Sequence, residues 1–229
     1  MLLVTDYDDI QGINRLIIIV FSIGMILGSF IISILILNKI RKTEIKSSRY
    51  FLVGVSLFAF LFGVGRLILL YHDYFADNSL DTILWTLGSG ITLVGLTCLT
   101  FAIEKFIFQK TKMIASVIGI ICIVIVFVFP FIGQIGIAKI FLYVGNGAVI
   151  VVPFFIYLYI AKISTGALRL QAGIILTGMI VMLIANLGGN VLFTIHVLDR
   201  LGSQLFGIII AFLGVVILSY GFVKSPNAR

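Results

Sequence analysis

Seven times in this chain a long apolar run is broken by a short polar stretch, and nearly every charge lies in the breaks. A helix needs about 20 apolar residues to cross the hydrocarbon core of a bilayer. In lipid each backbone N–H and C=O must be satisfied within its own segment, so runs of this length are read as helices. They predict spans over 13–37, 50–71, 83–103, 113–132, 137–161, 168–195 and 201–223. Only Gly133, Gln134 and Gly136, following Pro130, divide the fourth span from the fifth. The expected fold is therefore an all-α integral membrane protein, with residues 1–229 forming a single bundle of seven transmembrane helices. The longest connections, 38–49 and 72–82, leave no room for a soluble domain.

Composition excludes other classes. With 61% hydrophobic and 11% charged residues the chain is far too apolar for a water-soluble domain. Twenty-three glycines and 20 phenylalanines against three prolines suit helices that approach closely and fill gaps with aromatics. The net charge of +7 is not gathered on one amphipathic face, so it points to topology control and anionic headgroups rather than nucleic acid. Cys98 and Cys122 both lie in apolar runs and read as small buried hydrophobes, not as a disulfide or a metal pair. The first twelve residues contain Asp6, Asp8 and Asp9 and lack a basic leader region, so no cleavable signal peptide is expected.

Basic residues orient the bundle. An external N-terminus and a cytoplasmic C-terminus place Lys39, Arg41, Lys42, Lys46, Arg49, Lys105, Lys110, Lys112, Lys162, Arg169, Lys224 and Arg229 inside. Arg15, Lys139 and Arg200 then lie outside, and Arg66 lies within a helix. The expected location is the cell membrane, multi-pass, with a basic cytoplasmic face against anionic headgroups.

Arg66 is the most informative residue. It precedes the outer end of the second helix by about five residues, and Asp73 follows seven positions later on the same face. A charge at that depth faces the bundle interior or a wet cavity, unless its stem snorkels outward to the headgroups. Depth counting puts Asn186 and Asn190 of the sixth helix, Asn146 of the fifth and Thr92 of the third in the same outer layer. Together with Arg66 and Asp73 they form a candidate ligand pocket. The competing reading is that each is interhelical hydrogen-bond glue. The stripes Ser203, Gly207, Ala211, Gly214, Gly221 and Gly88, Thr92, Gly95, Ala102 are read as close-packing surfaces.

Glu104 and Lys105 close the third helix at the cytoplasmic face and form a candidate switch, with pairing to Lys105 or a loop cation as the default. The position is similar to that of the acidic–basic switch in G-protein-coupled receptors. Their Asn-Pro turn in helix 7 and their proline in helix 6 are absent here, and no cysteine pair ties helix 3 to an outer loop. The seven-helix topology also resembles that of microbial rhodopsins, which hold retinal on a lysine in mid-helix 7. Here the seventh helix has no lysine before Lys224, so a retinal protein is not expected. A faint repeat, Leu87-Gly88-Ser89 against Leu201-Gly202-Ser203, fits a three-plus-one-plus-three carrier.

No nucleophile–base pair, intramembrane carboxylate pair, metal cluster or phosphate loop is evident, so neither enzyme activity nor a cofactor is expected. The leading expectation is a receptor- or sensor-like bundle with an outward polar pocket for a small ligand. Its basic inner face would meet a cytoplasmic effector or a second copy. The alternative is a small-solute or ion transporter or channel. The third is an assembly subunit of a membrane complex, whose small-residue stripes would face another chain.

Overall fold

A computed structural model describes residues 13–75, 80–194 and 200–223; the side chains of 13, 14, 186–194, 200, 201 and 204 lie outside the description. Its helices are α1 (Ile13–Arg41), α2 (Lys46–Phe75), α3 (Asp81–Phe106), α4 (Ile114–Val128), α5 (Ile135–Ile163), α6 (Gly166–Thr194) and α7 (Arg200–Val223). All seven are long and apolar enough to cross a membrane, α4 together with the 3-10 turn Phe129–Ile132. Large apolar side chains such as Leu16, Phe60, Ile120, Tyr143, Leu170 and Val216 are exposed on the outside of the bundle. An apolar belt of that extent suits lipid, not water.

Several helices overrun the apolar segments. α1 continues through Lys39 and Arg41, and α2 already begins at Lys46. Long basic side chains allow this, because their stems cover apolar surface while their heads reach the headgroup layer. The weakest sequence boundary is real: Gly133, at φ 77°, ends the 3-10 turn, its N–H donating to Pro130 O at 3.1 Å while Gln134 N donates to Phe129 O at 2.9 Å. A side chain there would be strained in this left-handed conformation.

The main helix contacts form a ring in the order α1, α2, α3, α5, α6, α7 and back to α1, with α4 outside it against α3 and α5. Consecutive helices joined by short connections run antiparallel, so α3 runs parallel to α5 and α7 parallel to α1. The contact order of this ring is the same in both halves: α1, α2 and α3 occupy the positions of α5, α6 and α7. Helices α5, α6 and α7 begin 122, 120 and 119 residues after their counterparts. At a shift of 120, Ile18, Met25, Ser29, Ser33 and Ile36 correspond to Ala138, Gly145, Val149, Pro153 and Ile156, and all ten are buried. Leu52, Val55, Phe58, Ala59 and Gly65 correspond likewise to Ala172, Ile175, Gly178, Met179 and Ala185, again all buried. The burial pattern thus repeats in the first two helices of each half but not at this shift in α3 and α7, where buried Leu93 and Thr100 correspond to exposed Leu213 and Tyr220. The Leu-Gly-Ser tripeptides sit at different depths in α3 and α7.

Each half has one tight seam. On α2–α3, a Cβ added at Gly65 would lie 2.3 Å from Thr92 Oγ1 and 2.8 Å from Gly88 O, and one at Gly54 would lie 2.4 Å from Ala102 Cβ. On α6–α7, a Cβ at Gly178 would meet Leu218 N at 2.6 Å, and one at Gly214 would meet Met182 N at 2.9 Å. The small-residue stripes of α3 and α7 therefore pack onto α2 and α6 of the same chain. Nothing in this packing calls for a second protein on those faces.

Candidate functional site

Arg66 is half-buried, and its direction is informative. Its guanidinium carbon lies 5.4 Å from the ring centroid of buried Phe62, one turn toward the start of α2. Helical side chains lean toward the N-terminus of their helix. Here that lean carries the charge deeper into the bundle, away from the nearer end, where a snorkelling arginine would go. A cation over an aromatic face in a dry setting gains about 2 kcal/mol, which offsets part of its burial.

The other candidates separate into placed and unplaced residues. Thr92 donates its hydroxyl to Gly88 O at 2.9 Å and forms the surface on which Gly65, the residue before Arg66, rests at the α2–α3 seam. Asn146 is half-buried on α5, and its Oδ1, itself buried, has no hydrogen-bond partner among the described residues. A buried amide oxygen without a donor is costly and marks a place where a water or a ligand would be held. Asn186 and Asn190 lie on α6, but their side chains fall outside the described residues. At the repeat shift of 120, Asn186 is the counterpart of Arg66. Asp73 is engaged elsewhere: His72 Nδ1 lies 2.7 Å from Asp73 Oδ1, and His72 Nε2 lies 2.7 Å from Asp81 Oδ1. His72 thus bridges the end of α2 and the start of α3, with one carboxylate facing each ring nitrogen.

At the basic end Glu104 is not paired with Lys105. It is fully buried and binds the start of α4, accepting from Ser116 N at 2.9 Å, from Ala115 N at 3.3 Å and from the Ser116 hydroxyl. A carboxylate at a helix N-terminus satisfies orphan amides and complements the helix dipole. The chain enters α4 through Lys112 (φ 48°) and Met113 (φ 62°), two consecutive left-handed residues without a glycine. Such residues persist only where surrounding contacts over-determine them, and Glu104 supplies those contacts. Lys105 lies over Phe101 and Phe106, 5.3 and 5.9 Å from their centroids.

The ring centre is plugged at this end. Phe222 of α7, 1% exposed, meets Phe51 of α2 at 5.7 Å and Tyr157 of α5 at 6.2 Å between centroids. Beside this plug is a cavity of about 230 Å³, bordered by Ser47, Ser48 and Phe51 of α2, Phe106 of α3, Tyr157 of α5 and Gln171 of α6. Sequence reasoning missed this cavity, because nothing in the residue order shows that the starts of α2 and α6 border the same space. Among the described residues, no group of three or more His, Cys, Asp or Glu could hold a metal ion.

The chain matches no protein-family model, no curated protein and no solved structure.

Proposed function

We propose that this chain is a carrier for a small polar solute, built from two parallel three-helix units joined by α4. The observation that carries this reading is the two-fold arrangement of the ring, α1–α2–α3 against α5–α6–α7. An odd connecting helix is what lets two three-helix units run in the same direction, and carriers with repeats bind solute where the repeats meet. Arg66 and its counterpart Asn186 stand at equivalent depths in the two units, with the unsatisfied Asn146 Oδ1 on α5. A polar layer toward one end and an aromatic plug at the other suit a site reached from one side at a time. With an external N-terminus, the open side is outside and the plug is cytoplasmic.

A sensor remains the second reading, favoured by one observation: Glu104 ties α3 to the start of α4 at the basic end, where a partner would read a shift of α3. The two readings part in a single experiment. Purified protein is screened by thermal shift against monosaccharides, neutral amino acids and small carboxylates, and stabilising solutes are tested by counterflow in proteoliposomes. A carrier shows counterflow that Arg66→Leu abolishes. Stabilisation without counterflow supports the sensor, and no stabilisation by any of the panel contradicts both.

A further inference from the structure

We propose that the cavity at the basic end binds the phosphate-bearing headgroup of an anionic lipid, with the first methylenes of its chains against the apolar wall. Tyr157 carries the argument. It lines the cavity and as a residue is only 4% exposed, and its hydroxyl, which is not among the fully buried unpaired atoms, makes no hydrogen bond among the described residues and opens onto the cavity. A phenol so placed offers a donor and an acceptor to whatever fills the cavity.

The rest of the cavity is chemically matched to a phosphate on an apolar stem. α2 and α6 both begin at its edge, and the first-turn amides of a helix lack intrahelical acceptors and carry the positive end of its dipole. Ser47 and Ser48, in the first turn of α2, add two hydroxyls. The Gln171 amide is fixed by donating from Nε2 to Gly221 O at 3.1 Å, which leaves its carbonyl oxygen for a headgroup hydroxyl. Phe51, Phe106 and Ile160 supply the apolar side. Lys105 lies against the Phe106 ring, and Lys46 and Arg49 flank the two serines. Of the acids at this end, Glu104 is turned to α4, and Glu44 is exposed. The volume, about 230 Å³, is below that of a drug-sized pocket and suits a headgroup rather than a whole lipid.

The test uses the full chain in detergent micelles doped with phosphatidylglycerol or phosphatidylcholine at equal mole fraction, and with inorganic phosphate alone. Thermal stability and native mass spectrometry are the readouts. Phosphatidylglycerol should bind and stabilise the wild type, whereas phosphatidylcholine and inorganic phosphate should do so weakly. Tyr157→Phe should bind phosphatidylglycerol about tenfold more weakly, the loss of one hydrogen bond to a charged group. Ile160→Trp, which fills the cavity, should abolish the effect. Each variant's stability in phosphatidylcholine reports whether it still folds, and Tyr157→Phe suffices if Ile160→Trp does not. Lys110→Ala/Lys112→Ala, outside the cavity, should leave the preference intact. Undiminished phosphatidylglycerol binding in Tyr157→Phe would overturn the proposal. So would equal stabilisation by inorganic phosphate, which would make the ligand a free anion.

Discussion

The Thr100 hydroxyl of α3 donates to the Val149 carbonyl of α5 at 2.7 Å. That carbonyl is the one Pro153 orphans: a proline inside a helix has no N–H for the residue four positions back. Thr100 lies 3.0 Å from Leu96 O as well, so one hydroxyl serves its own helix and mends its neighbour. The contact joins α3 of one unit to α5 of the other. Thr100→Val removes the donor at nearly constant volume and should cost about 1–3 kcal/mol of stability. Adding Pro153→Ala restores a backbone donor and should recover most of the loss. Thermal unfolding of the single and double variants in detergent checks this; additive losses would show that the two residues act separately.

Glu104→Ala should be among the more damaging single substitutions at the basic end. It strands the Ala115 and Ser116 amides and releases the left-handed Lys112–Met113 entry. A loss of about 2–4 kcal/mol follows from removing a buried charged acceptor with its bonds. Ser116→Ala, which removes one donor and keeps the backbone contacts, should cost less. Lys105→Ala should be nearly neutral to stability. Equal effects of Glu104→Ala and Lys105→Ala would mean that the carboxylate does not anchor α4.

The helix seams make an opposite pair of predictions for two glycines. Gly65→Val places atoms into Thr92 and the Gly88 carbonyl, neither of which can yield without parting α2 from α3, and should prevent folding or reduce yield severely. Gly147, whose added Cβ would meet nothing within 4 Å, should accept alanine with no loss of stability. Expression level and monodispersity on size-exclusion chromatography are the measurements.

The orientation rests on the basic residues and has its own test. In a background without Cys98 and Cys122, cysteine at exposed Gln134 should label with an impermeant maleimide only from outside the cell. Cysteine at exposed Glu44 should label only after the membrane is opened. The reverse pattern would invert the topology and exchange the open and plugged sides of the proposed carrier.

Helix number, the α4–α5 break and the small-residue seams were legible in the sequence because each depends on local composition and spacing. Arg66 was legible as a residue of interest, but its direction was not, since it turns on the lean of the side chain toward Phe62. Three features were hidden. Glu104 takes its partners from α4, which only folding brings to it. Thr100 and Val149 are joined by a proline whose consequence appears on another helix. The likeness of the two halves lies in contact order, helix spacing and the burial pattern of their first two helices rather than in residue identity, so the one tripeptide match that suggested it lay out of register.

The measurement that bears most directly on the carrier reading is solute uptake into proteoliposomes with the basic end locked. Cysteines replacing Phe51 and Phe222, whose rings meet across the plug, are joined by a short reducible bifunctional thiol reagent. The solute is the one selected by thermal shift. The account predicts uptake by each single-cysteine variant, loss of uptake when the pair is cross-linked, and its return on reduction. Uptake that continues at the uncross-linked rate with the link complete would contradict it.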